Sequence, residues 1–139
     1  MPQPSSASEF TTSTPASRPD VVTAGPDGNV WFTEDIGKVG RVTPNGVITE
    51  FPLTNAAAFP VGIVTGPDGN IWFAEKSANK VARMTTAGVI TEFQIPIAAA
   101  APDKITVGAD GNLWFTEHGA HQVAHYRAGL ERPGEHCGD

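Results

Sequence analysis

A chain of 139 residues with 40% hydrophobic content suffices for one globular domain and hardly for two. Its net charge of −6, with nine dispersed Lys and Arg, lacks the basic footprint of a binder of nucleic acid or anionic membranes. No stretch approaches a membrane span, the start MPQPSSASEF has no basic and apolar leader, and Cys137 alone forms no intrachain disulfide, so a cytoplasmic protein is expected.

In chain order, residues 1–4 read as a tail and residues 5–13, around SEF at 8–10, as a strand. GPDGNVWFTE follows at 25–34, and it recurs as GPDGNIWFAE at 66–75 and GADGNLWFTE at 108–117. GVITEF at 46–51 recurs at 88–93, and Trp31, Trp72 and Trp114 lie 41 and 42 residues apart. A period of this length belongs either to helical arrays or to propellers with four short strands per unit. Residues 61–95 decide between them: VGIVT, NIWFAE, KVARMTT and VITEFQI are short, β-branched or aromatic, and bounded by turn residues. In the GPDG turn, Pro67 presets one dihedral and Gly69 accepts positive φ, as a tight hairpin requires. Val30, Trp31 and Phe32 are consecutive and apolar, so both faces of that strand need cover. Radially stacked four-stranded sheets give such cover.

The fold expected is therefore all-β, a β-propeller of four-stranded antiparallel blades. With the strands of a blade named A to D, blade 1 covers 20–54, blade 2 covers 61–97, and blade 3 covers 103–128 without its outer strand, before a tail at 129–139. Residues 5–13 are an orphan strand D, because SEF precedes Gly25 by the spacing at which TEF precedes Gly66 and Gly108. The order D-ABCD-ABCD-ABC makes three blade equivalents, fewer than the four to eight that close a ring. The expectation is a homodimer that exchanges the N-terminal strand, or a part of a larger propeller.

A residue present in every repeat reads as scaffold, since chemistry needs a group only once. Glu34, Glu75 and Glu117, with Lys38 and Lys80, are therefore expected to pair or bond structurally near the blade edge. The repeats differ where strand A begins and strand B ends, on one face of the propeller. There Asp20, Asp35, Glu117 and His118 offer oxygen ligands for a hard cation or a general base. Asp20, Asp103 and His118 are the candidate catalytic groups, and Glu117 and Asp35 the candidate metal ligands; solvated rim residues are the alternative. His118, His121, His125 and His136 fall late, beside Cys137, at spacings that match no zinc pattern, and His125 replaces the Arg of positions 41 and 83.

PDGNxWFTE, then NKVAR, MTTAG and VITEF, then a proline-led VGI, resembles the blade signature of the streptogramin B lyases (virginiamycin B lyases) over residues 5 to 128. The resemblance implies a seven-bladed propeller type and a magnesium-dependent elimination that opens the ester of a cyclic depsipeptide. A small cyclic peptide or lactone would be the ligand. It places a histidine base directly after a blade-leading proline and a magnesium glutamate directly before it. Those positions here read Arg18-Pro19-Asp20, Phe59-Pro60-Val61 and Ala101-Pro102-Asp103. The second metal glutamate falls just after the WF pair, where Glu34, Glu75 and Glu117 are loose matches.

Overall fold

The computed structural model describes residues 7–127. The tails at 1–4 and 129–139, with His136 and Cys137, lie outside them. Among the described residues eleven strands form three antiparallel sheets in strict chain order. Blade 1 holds β1 (Pro19–Ala24), β2 (Val30–Glu34), β3 (Lys38–Val42) and β4 (Ile48–Pro52). Blade 2 holds β5 (Pro60–Thr65), β6 (Ile71–Glu75), β7 (Lys80–Met84) and β8 (Ile90–Gln94). Blade 3 holds β9 (Pro102–Val107), β10 (Leu113–Glu117) and β11 (Gln122–Tyr126), with a 3-10 turn at His118–Ala120. This is the β-propeller architecture expected.

The repeated decapeptide is a turn and a strand locked together by one aspartate. Asp27 accepts the Asn29 backbone N–H at 3.2 Å and the Trp31 indole N–H at 3.1 Å. Asp68 and Asp110 repeat the arrangement with Trp72 and Trp114. Gly66 is required beside it, because a Cβ there would overlap the Trp72 ring.

Successive strand residues point to opposite faces, so each WF pair sends its Trp to one face of the blade and its Phe to the other. The Trp face of blade 1 (Trp31, Val39) packs against the Phe face of blade 2, where Ile63, Ile71, Phe73 and Met84 are buried. The Trp face of blade 2 (Trp72, Val81) packs likewise on Leu113, Phe115 and Ala124 of blade 3. Strand β6 is consequently buried along its whole length. The Thr33 hydroxyl ties blades 1 and 2 by donating to the Val61 carbonyl at 2.8 Å.

The described part of the N-terminal stretch, residues 7–13, adopts no ladder strand within this chain. Its Phe10 ring instead lies over Gly46, whose Cβ would come within 2.7 Å of it.

Candidate functional site

Strand A enters each blade beside the end of strand B. Pro19 stands opposite Glu34, Pro60 opposite Glu75 and Pro102 opposite Glu117. The residue before each proline takes the left-handed conformation, with φ of 56° at Arg18, 58° at Phe59 and 51° at Ala101. For non-glycine residues this costs roughly 1–2 kcal/mol each. A backbone bond holds the bend: the N–H groups of Asp35, Lys76 and His118 donate to the carbonyls of Arg18, Phe59 and Ala101 at 3.1–3.2 Å. In each blade, then, the residue before the proline and the residue after the glutamate are neighbours on the same rim.

The candidate groups occupy this rim in two sets. Asp20 is exposed, and Asp35 faces the Arg18 guanidinium at 3.5 Å. In blade 3, Asp103 lies 3.2 Å from the ammonium of Lys104, and exposed His118 opens the 3-10 turn. Buried Glu117 accepts the Gln122 side-chain N–H at 2.6 Å. Blade 2 stands between the sets and places Val61 and Lys76 at the corresponding positions. Among the described residues no three His, Cys, Asp or Glu side chains gather in a way that would hold a metal ion. One oxygen of Asp35 faces the Arg18 guanidinium while the other is buried without a hydrogen-bond partner, and Glu117 accepts from Gln122. His125 stacks on Trp114 with ring centroids 4.4 Å apart, in the register that Arg41 and Arg83 hold opposite Trp31 and Trp72.

The repeated lysines pair with glutamates of strand D rather than with those of strand B. Lys38 lies 3.7 Å from Glu50 and Lys80 lies 3.2 Å from Glu92. Glu34 and Glu75 are fully buried, and each lies against a second carboxyl group, Glu50 and Glu92 respectively. Burial, reinforced by the neighbouring Glu50, pushes Glu34 up to about 7. Burial, reinforced by Glu92, pushes Glu75 up to about 8. Sequence reading passed over Glu50 and Glu92, although the recurrence of TEF was the signal for them.

Comparison with known proteins completes the description. The profile of the virginiamycin B lyase family matches residues 2–131. A selenomethionine-substituted virginiamycin B lyase from Staphylococcus aureus is 41% identical, with a TM-score of 0.83, over 91% of this chain and 42% of that one. A streptogramin B lyase structure is 42% identical, with a TM-score of 0.82, over 86% of this chain and 40% of that one. A gluconolactonase from Xanthomonas campestris shares the fold at 17% identity and a TM-score of 0.66, over 88% of this chain and 47% of that one. No curated protein matches the chain. The chain thus spans less than half the length of either lyase.

Proposed function

The chain belongs to the virginiamycin B lyase family, and from that premise we propose that its three blades act as a non-catalytic module, one that binds a ligand or assembles, rather than as a lyase. One observation carries this reading. The three rim positions flanking the blade-leading prolines hold Arg18 and Asp20, Phe59 and Val61, Ala101 and Asp103, which supply no imidazole and no free carboxylate pair. An elimination needs a base at the proton it removes and an electrophile at the ester oxygen that leaves. Of the other carboxylates at this rim, Asp35 lies 3.5 Å from the Arg18 guanidinium and Glu117 accepts the Gln122 side-chain N–H, while Glu34 and Glu75 are fully buried and pushed toward the protonated state.

A second reading is favoured by the 41% identity to a lyase. In it the chain, or a protein containing it, opens a cyclic depsipeptide or lactone, with His118 the nearest imidazole of the rim. Incubation with a streptogramin B antibiotic, with and without magnesium, followed by mass spectrometry, distinguishes the two. The module reading expects only intact antibiotic at high protein concentration. Magnesium-dependent linear product that disappears in His118→Ala would overturn it.

A further inference from the structure

Inside the chain every contact between blades joins a Trp face to a Phe face. The described residues leave one of each uncovered: the Phe face of blade 1 and the Trp face of blade 3. The uncovered apolar positions are the ones a neighbouring blade covers elsewhere. Val22 and Val30 on blade 1 are 63% and 38% exposed, whereas Ile63 and Ile71, their counterparts on blade 2, are 4% and 0% exposed. On the other side Val123 is 60% exposed, whereas its counterparts Val39 and Val81 are both 0% exposed. Each open face is grooved. One groove, of about 230 Å³, runs between Phe10, Val22, Val30, Phe32 and Val42, and the other, of about 150 Å³, is lined by Thr106, Trp114, Thr116 and Val123.

The N-terminal stretch specifies what fits there. Phe10 covers Gly46 as Phe51 covers Gly88, each ring 2.7 Å from where a Cβ would stand. Residues 8–10 therefore sit on blade 1 as the outer strand of blade 1 sits on blade 2. Phe51 has a second contact, stacking on Trp31 at 5.6 Å, and Phe93 stacks on Trp72 at 5.7 Å. Phe10 is 51% exposed, and among the described residues the ring stacked on Trp114 is that of His125.

We propose that the occupant of both faces is a second copy of this chain, docked head to tail. Phe10 of each copy then lies over Trp114 of the other, and Glu9 stands to Glu117 as Glu50 stands to Glu34. Six blades result, within the range that closes a ring. Each face offers roughly 300 Å² by strand spacing and rise. Four faces then bury about 1,200 Å², the lower bound of a stable interface. The pairing rests on packing and is independent of whether the protein is a lyase.

Light scattering on the eluted 139-residue chain should give twice its 14.6 kDa mass. Val22→Asp and Val123→Asp alter exposed positions, so each variant keeps its circular dichroism while its dimer dissociates at least about tenfold more readily. Mixed together, the two variants form a heterodimer more tightly than either self-associates, because one of the two contacts between them carries neither lesion. A wild-type monomer at tens of micromolar would overturn the proposal, as would assemblies that grow with concentration. A dimer indifferent to Val123→Asp would point to contact between like faces and overturn it equally.

Discussion

Asp68 accepts the Trp72 indole N–H at 3.0 Å and the Asn70 backbone N–H at 3.2 Å. One carboxylate thus closes the β5–β6 turn and fixes the ring against which blade 3 packs. Asp68 also accepts the Asn70 side-chain N–H at 3.0 Å and lies 4.0 Å from the Arg83 guanidinium, so Asp68→Ala should cost about 1–3 kcal/mol, measurable as a lower urea midpoint. An unchanged midpoint would show that the indole is held by packing alone. Glu75 carries a different kind of consequence. Its folded value, near 8, lies above the unfolded one, so between about 4.5 and 8 the folded state binds more protons than the unfolded state. Stability contributed by this group is therefore greatest at low pH and falls as pH rises through that window. Glu75→Gln keeps the shape and removes the titration, so its urea midpoint should change less between pH 5 and pH 8 than the wild type's. Equal slopes would assign the pH dependence elsewhere. The turn was visible in the sequence through Pro67 and Gly69, but the bond from Trp72 to Asp68 was not, and neither was the charge state of Glu75, which depends on how completely neighbouring strands exclude water.

At the scale of strands, the short β-branched and aromatic segments bounded by turn residues become the strands of each blade. Strand A is less regular, with the register shifting between Pro60 and Ile63 and at the same place in the other blades. Within that shift Gly62 lies against the backbone of β9, where a Cβ would overlap the Asp103 carbonyl oxygen. Gly62→Ala must push β5 and β9 apart, at about 1–3 kcal/mol by analogy with overpacked cores. Thermal unfolding of the variant checks this, and a melting temperature equal to the wild type's would mean that the strands yield without loss. Sequence gave no sign of this approach, since it joins residues of two blades through backbone atoms. Residues 7–13 show a related limit. Their likeness to a fourth strand was legible in SEF, but a strand needs a partner ladder, and among the described residues they find none: Phe10 lies over Gly46 and beside Val22 and Val30, and Thr12 bonds Ser17.

For the molecule as a whole, repeat length and WF spacing were enough to specify a propeller of three blade equivalents, because radial stacking is the arrangement that buries both faces of VWF. The rim was legible only as positions. That Asp35 meets Arg18 and Glu117 meets Gln122 depends on side-chain directions that spacing does not encode. If two copies close one ring, unfolding is coupled to dissociation, and a tenfold rise in chain concentration should stabilise the fold by about 1.4 kcal/mol. Urea titrations at two concentrations test this, and coincident curves would argue for self-sufficient monomers. The left-handed residue ahead of each blade-leading proline carries one more implication. A guanidinium, a phenyl ring and a methyl group occupy the same strained bend at Arg18, Phe59 and Ala101, each held by the same backbone bond. The bend behaves as a socket indifferent to what is plugged into it, so this rim can exchange its chemistry while the blades beneath keep their shape.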